Sequence, residues 1–158
     1  MKLRHPALLS ALFLCASLLA GEAYETYTNA RYNYRIGYPA DFLPQAVADA
    51  GDGRIFLSPT GDAELRVFAS ACLDEFNATP EQYVADYKKQ QRAGQLNLSY
   101  QRAGKDFAVV SGHRKERIFY SKILIHDDWC TQFTFEYNES QSEKYNAVTN
   151  RLALSFKR

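Results

Sequence analysis

Four consecutive segments between residues 96 and 137 have the composition of β-strands. Short turn sequences separate them, so the pattern predicts an antiparallel meander over residues 96–101, 107–111, 118–126 and 129–137. The third segment is apolar at most positions, which places apolar side chains on both faces of the sheet. Because both faces must be covered, the chain is restricted to a layered fold with the sheet in the middle.

The turn between the last two strands determines which side chains share a face. If Asp127 and Asp128 form a two-residue turn, directly opposite residues pair across the hairpin. One face then combines Ile118, Tyr120 and Leu124 with Phe133, Phe135 and Tyr137, and the other carries Phe119, Ile123 and Ile125.

Three more strands are predicted upstream of the meander. Residues 32–38 alternate strictly, with tyrosine and isoleucine on one face, before Pro39 ends the pattern. Residues 54–58 and 64–72 flank a Pro-Thr-Gly-Asp turn sequence at 59–62, and this arrangement predicts a hairpin.

A first helix is predicted to follow this hairpin. Thr79 can cap its start, Pro80 occupies the first helical position, and Gln82 completes a capping box. Gly94 is predicted to end the helix. Its apolar positions form one narrow stripe, so this helix is expected to lie on the sheet.

A second helix is predicted at the end of the chain. Ser140 is expected to cap it and Glu143 to complete a capping box, while Tyr145, Val148 and Leu152 form its apolar stripe. The two helices supply the two covers that the sheet requires. The predicted fold is therefore α+β, a single α/β/α sandwich whose central, mostly antiparallel sheet is covered by two helices.

Residues 1–23 have the pattern of a cleaved secretory signal. A positively charged start precedes a short apolar run, and Gly21 and Ala23 place small residues at the positions that signal peptidase reads. The run is too short to cross a hydrocarbon core of about 30 Å as a helix. We therefore expect cleavage before Tyr24, which leaves residues 24–158 as one domain with no transmembrane segment.

Cys15 lies within the apolar run and raises the alternative of a lipoprotein. Lipoprotein processing needs a small residue immediately before the acylated cysteine, whereas Leu14 is large. The sequence therefore favours soluble export over lipid anchoring at Cys15.

The expected mature chain is electrically neutral. The full chain has 19 basic and 18 acidic residues, of which the signal holds two and one, so 17 of each remain. Nucleic acids and anionic membranes are bound by strongly basic surfaces. The charge balance thus indicates no nucleic-acid partner and no polybasic membrane contact.

Two cysteines, Cys72 and Cys130, remain in the mature chain. An oxidising compartment favours a disulfide between them, and a loop of this length would stabilise the fold by about 4 kcal/mol on chain-entropy grounds. Two separate buried thiols are the alternative. A catalytic cysteine would need a base, and the mature chain offers only His113 and His126 for that role.

The sequence also resembles a known family. The segment 34–42 (YRIGYPADF), the capped helix at Thr79, the long meander and the closing helix that ends in Ser155-Phe156-Lys157 together resemble the PsbP-like superfamily. Bacterial DcrB-like periplasmic proteins are similar as well. The resemblance implies an α/β/α sandwich without shared catalytic residues. It also implies roles as photosystem accessory subunits, envelope proteins or immunity proteins against secreted toxins, and it favours the periplasm of a Gram-negative bacterium.

Two clusters carry chemistry that could matter for function. His126, Asp127 and Asp128 could hold a divalent ion or form a base, but adjacent Asp residues are also typical of a tight hairpin turn. We therefore predict no metal site and no cofactor. The second cluster, His113, Arg114, Lys115 and Arg117, could bind an anionic partner or could be the solvated tip of a hairpin.

The best-supported function is a non-enzymatic periplasmic protein that binds another protein as an accessory or envelope factor. Docking is expected through an edge strand of the sheet or through the tip at residues 112–117. One alternative is an immunity protein that inhibits a toxin acting in the periplasm. A second alternative is a small-ligand or metal-dependent enzyme, and the oligomeric state stays open.

Overall fold

The structure is a computed structural model that describes residues 23–46, 50–72, 79–126 and 129–158. The predicted signal sequence lies outside these residues except for Ala23, and Cys15 therefore lies outside them too. The described part contains nine strands, two α-helices and one 3₁₀ turn. They are β1 (Tyr24–Asn29), β2 (Tyr34–Pro39), β3 (Leu43–Pro44), β4 (Gly53–Leu57), β5 (Ala63–Ala71), α1 (Pro80–Arg92), β6 (Asn97–Ala103), β7 (Phe107–Arg114), β8 (Arg117–Ile125), β9 (Trp129–Asn138), the 3₁₀ turn (Glu139–Gln141) and α2 (Ser142–Ser155).

The central sheet has seven strands in the order β3-β4-β5-β9-β8-β7-β6, and every neighbouring pair is antiparallel. The meander and the β4–β5 hairpin are present as predicted. Tyr120 lies opposite Phe135 and Ile125 opposite Cys130, which is the predicted register. The fold is therefore α+β, with a mostly antiparallel sheet and two helices.

The first face of the sheet is covered by α2 together with the β1–β2 hairpin, which forms a separate two-stranded sheet. Tyr145, Val148 and Leu152 of α2 are fully buried, as predicted for its apolar stripe. Full burial of one such side chain stabilises a fold by roughly 1.5–3 kcal/mol. The same cluster contains Tyr34, Ile36 and Tyr38 of β2, Leu65 and Val67 of β5, and Phe133, Phe135 and Tyr137 of β9.

Part of the second face is covered by α1, which packs mainly against β6 and β7. The predicted capping box is present: the Gln82 backbone N–H donates to Thr79 Oγ1 over 3.2 Å, and the Thr79 N–H donates to Gln82 Oε1 over 3.0 Å. Tyr83 and Val84 of α1 are buried, and Gly94 follows the helix with φ +70°, a conformation that favours glycine. The core beneath α1 includes Ala108, Val110, Phe119 and Ile123.

The predicted cap of α2 is wrong. The helix begins at Ser142, and Ser140 lies within the preceding 3₁₀ turn, so the capping box with Glu143 does not form. The reason is tertiary: strand β9 runs on to Asn138, whose N–H donates to the Asp62 carbonyl over 3.0 Å. The Glu139 N–H then donates to a carbonyl of the β7–β8 turn over 3.0 Å, which delays the start of the helix.

The predicted loop at residues 112–117 is also too long. Strand β7 continues to Arg114, and the turn to β8 contains only Lys115, with φ +56°, and Glu116. A Cβ on Gly112 would lie 2.0 Å from the Asn97 carbonyl oxygen. This glycine therefore permits the close approach of β6 and does not form a turn.

The cysteine pair lies where β5 meets β9. Cys72 directly follows β5, Cys130 lies near the start of β9, their Cα atoms are 5.3 Å apart, and their sulfur atoms are in bonding contact. Cys130 is buried in the core beneath α1. The structure thus brings the predicted pair to disulfide distance.

Asp62 ties the β4–β5 turn to α2. Its Oδ1 atom accepts hydrogen bonds from the hydroxyl groups of Ser58 (2.7 Å), Thr60 (2.8 Å) and Tyr145 (2.7 Å). Partial burial raises the pKa of Asp62, but the hydrogen bonds from Ser58, Tyr145 and Thr60 outweigh that effect and lower this pKa to about 2.

We predict that removal of the Cys72–Cys130 bond lowers the free energy of unfolding by about 2–4 kcal/mol. Urea denaturation of a protein comprising residues 24–158, with and without a reducing agent, measures this loss. The double variant Cys72→Ala/Cys130→Ala is the control and should not respond to the reducing agent. Equal stability of the oxidised and reduced wild-type protein would contradict the prediction.

We predict that Asp62 stabilises the fold above pH 4 and loses this effect as the pH falls to about 2. Its pKa is lower in the folded chain than the value of about 3.9 typical of an unfolded chain, so acid favours unfolding. Asp62→Asn keeps an acceptor oxygen but does not titrate. The stability difference between wild type and variant, from urea denaturation at pH 5 to 2, should therefore shrink with acid. A stability difference that stays constant from pH 5 to 2 would contradict this prediction for Asp62.

Candidate functional site

Helix α1 is too narrow to cover the second face of the sheet. Seven strands at about 4.8 Å spacing span about 29 Å. An α-helix with its side chains is only about 10–12 Å wide. Because α1 packs on the β6–β7 side, the same face of β3, β4, β5 and β9 keeps half-buried and exposed side chains.

The strand register shows where α1 stops covering the second face of the sheet. Glu64 of β5 lies opposite Glu136 of β9, which lies opposite Phe119 of β8. Directly paired residues share a face. Along this row the side chains change from charged and half-buried to apolar and fully buried. The border therefore runs between β9 and β8.

We call this surface, which no helix of the described residues covers, the open face. Two adjoining depressions of about 370 and 290 Å³ mark it, and Arg66 and Phe68 line both of them. Tyr87 of α1 forms one wall of the smaller depression. Leu43 is 58% exposed at the far end of the surface. The open face consists of Leu43, Ile55, Leu57, Glu64, Arg66, Phe68, Gln132, Thr134 and Glu136.

Its composition resembles that of a protein-binding surface. Apolar side chains on β3, β4 and β5 lie beside charged ones on β5 and β9, and recognition surfaces typically surround an apolar centre with polar groups. The Arg66 Nε atom donates to Glu64 Oε1 within the surface, and the Arg66 side chain is 57% exposed.

Two residues of the predicted basic tip point toward this surface. The Arg114 Nη1 atom lies 2.5 Å from Glu136 Oε1, and the Arg117 Nε atom lies 3.8 Å from Glu136 Oε2. On the opposite side of the hairpin, His113 Nε2 lies 3.4 Å from Glu139 Oε1. Three members of the tip thus have acidic partners, and only Lys115 lies in the turn itself. Partner binding by these four residues stays a prediction.

The structure describes one member of the predicted His-Asp-Asp cluster. His126 Nε2 lies 3.4 Å from Thr131 Oγ1, and its ring lines a depression near the end of the chain. Asp127 and Asp128 lie outside the described residues. Among the residues that are described, no group of three His, Cys, Asp or Glu side chains lies close enough to hold a metal ion.

A buried hydroxyl cluster lies at the border of the open face. Ser121 Oγ lies 2.7 Å from the Tyr83 hydroxyl and 2.6 Å from Thr134 Oγ1, and it accepts a hydrogen bond from Gln132 Nε2 over 3.1 Å. Burial raises the pKa of Tyr83 well above its ordinary value, so its hydroxyl stays protonated. Among the described contacts of Ser121 there is no imidazole or carboxylate that could act as a base. The cluster thus fixes α1 to the sheet.

The open face is not among the surfaces predicted from the sequence, although the residues carry a signal for it. Strand β9 alternates, and its outward positions Gln132, Thr134 and Glu136 are polar, as are Glu64 and Arg66 in β5. An alternating strand with one polar face indicates a face that is not covered. The prediction that both faces of the sheet are apolar holds for β8 but is wrong for β5 and β9.

No helix in the described part of the chain is both long enough and apolar enough to cross a membrane.

Comparison with known proteins shows the fold. The sequence matches no protein family profile and no curated protein. The structure is similar to that of cyanobacterial PsbP (CyanoP) from Synechocystis sp. PCC 6803, with a TM-score of 0.65 and 16% identity, over 92% of this chain and 98% of that one. It is also similar to the Ran-binding protein Mog1p of Saccharomyces cerevisiae, with a TM-score of 0.57 and 9% identity, over 87% and 96% of the two chains. The chain therefore has a PsbP-like fold, as the resemblance implied.

We predict that Arg114 and Glu136 couple weakly, by less than about 1 kcal/mol, because both side chains are partly exposed. A double-mutant cycle with Arg114→Ala and Glu136→Ala, measured by urea denaturation, gives this coupling energy. It should decrease at high salt, which screens charges. The control cycle pairs Arg114→Ala with Glu143→Ala on α2 and should give no coupling. A salt-independent coupling would contradict an ion pair.

Proposed function

We propose that this protein is a non-enzymatic exported protein of the Gram-negative periplasm, where it binds another protein through the open face as an accessory or envelope factor. The observation that carries the proposal is the half-covered sheet. It presents Leu43, Ile55, Leu57 and Phe68 beside charged side chains on a surface that extends over β3, β4, β5 and β9.

The shape of this surface favours a macromolecular partner. Small-molecule sites are concave and enclose most of their ligand. The two depressions on the open face are open parts of a broader surface, Arg66 and Phe68 line both of them, and the exposed Leu43 lies at one end of that surface. Exposed apolar patches with a polar rim are typical of protein–protein contacts.

The fold is consistent with such a role. Mog1p, which shares this fold, is a Ran-binding protein. The fold can therefore carry a protein-binding surface, although fold alone does not determine function. The buried Ser121 cluster lacks a base among its described contacts, so it offers no support for nucleophilic catalysis.

Two features support export. Residues 1–23 have the composition of a signal sequence. Cys72 and Cys130 lie at disulfide distance, and such pairs are typical of oxidising compartments. Together they favour the periplasm over the cytoplasm.

We predict that the open face is required for partner capture. The protein, tagged after Arg158 and expressed with its own signal, is recovered from the periplasm of its host, and retained proteins are identified by mass spectrometry. The double variant Leu43→Asp/Arg66→Ala should lose the main retained protein, because it removes an exposed apolar contact and an exposed cation from the open face. Both positions are exposed, so the fold should be preserved.

The matched control is Leu154→Asp on α2, which changes a leucine that is 84% exposed and lies away from the open face. This control should retain the partner. Capture that both variants keep, or both lose, would contradict docking through the open face. A secreted toxin as the retained protein would favour the immunity-protein alternative, and an envelope protein would support the accessory role.

A further inference from the structure

A second surface lies on the other flank of α1, where the helix runs beside the last strand of the sheet. A groove of about 530 Å³ separates α1 from β6. Lys88, Gln91 and Arg92 form its helical wall, and residues 98–101 form its other wall. Because β6 is the outermost strand of the sheet in the described part of the chain, the groove opens along a strand edge that no described strand pairs with.

The backbone of β6 presents hydrogen-bonding groups along this edge. The Gly104 N–H donates to the Phe107 carbonyl over 2.8 Å, and hydrogen-bonded pairs alternate along an antiparallel ladder. Tyr100 and Arg102 therefore bond to β7, whereas the N–H and C=O groups of Gln101 and Ala103 point outward. Outward groups of this kind are a template for an added strand.

The chain itself already satisfies one outward group of this edge. The Leu98 N–H donates to Gln91 Oε1 over 3.1 Å, so a side-chain carbonyl takes the place that a neighbouring strand would occupy. A bulge between Leu98 and Tyr100 separates this position from the outward groups at Gln101 and Ala103. The pairing-competent edge thus begins after the bulge.

The groove carries an excess of positive charge. Lys88 and Arg92 lie one helical turn apart, both are exposed, and neither has an ion-pair partner among the described residues. Lys89, the neighbour that does not line the groove, lies 2.8 Å from an Asp86 oxygen. No acidic side chain lines the groove within the described residues.

We propose that this groove receives an extended acidic segment of a protein partner. The segment pairs with the outward groups of Gln101 and Ala103 as an added strand and places a carboxylate between Lys88 and Arg92. This inference rests on the proposed protein-binding function, but it uses a different surface. A second copy of this chain is disfavoured, since edge-to-edge pairing would bring two cationic grooves together.

The test uses a blocked eight-residue peptide of alternating valine and glutamate as the probe, with the ¹⁵N-labelled mature protein. We expect the backbone amide resonances of Gln101 and Ala103 to shift, with a dissociation constant between about 10 μM and 1 mM that weakens as salt increases. A control peptide with lysine in place of glutamate should not bind.

Variants separate the contribution of the cationic side chains from that of the backbone hydrogen bonds. Lys88→Glu/Arg92→Glu should weaken peptide binding at least tenfold, whereas the control Lys89→Glu should change it less than twofold. Gln101→Pro removes an outward N–H without removing a bond of the β6–β7 ladder, and it should abolish binding. Circular dichroism verifies that each variant is folded, and the charge reversals keep the test valid if the proline variant unfolds.

Three results would overturn the inference: no shift at Gln101 and Ala103 with several millimolar peptide, equal binding of the lysine peptide, or self-association of the protein through β6 in sedimentation experiments. The Leu43→Asp/Arg66→Ala variant should bind the peptide normally. If that variant loses its partner but still binds the peptide, the effect is on the open face. If partner capture is intact but peptide binding is lost, the effect is on the groove. The two proposals can therefore fail separately.

Discussion

Strand β8 is buried on both of its faces, and the rest of the architecture depends on this. Phe119, Ser121 and Ile123 are fully buried on one face, and Tyr120 and Leu124 pack into the aromatic core on the other. Covering one face requires elements from both ends of the chain, the β1–β2 hairpin and α2, while α1 from the middle covers the other. Two-sided burial therefore holds distant parts of the sequence against one sheet.

Because α1 is narrower than the sheet, it leaves two surfaces uncovered in the described structure, the open face and the groove beside β6. Helix α1 lies near one edge of the second face and is held there by the hydrogen bond between Tyr83 and Ser121. On one flank it leaves the open face, which is broad and mixed in character. On the other flank it leaves a narrow cationic groove beside a strand edge. Both candidate binding surfaces thus follow from the position of one helix.

Local sequence signals located most elements correctly. The capping box at Thr79 and Gln82 and the stripe of α2 at Tyr145 depend on residues within a few positions of each other, so a local pattern is sufficient. The predicted start of α2 is wrong because the true start depends on a hydrogen bond between Asn138 and the carbonyl of Asp62, two residues that are far apart in the chain. The open face was within reach of the same local reasoning, since the polar alternation of β9 is visible in the sequence.

The sequence by itself determined the layered α+β fold and the register of the last hairpin, because the hydrophobic pattern and the turn sequence leave few arrangements. It named Cys72 and Cys130 as the candidate disulfide pair, and the tertiary structure decided that they lie at disulfide distance. Only the tertiary structure decided which charged side chains form ion pairs. Arg114 and Arg117 form part of a basic run in the sequence, yet both meet Glu136 on a neighbouring strand, while the groove cations of α1 have no described ion-pair partner. Charge pairing depends on distances between strands and helices, and those distances exist only after the chain has folded.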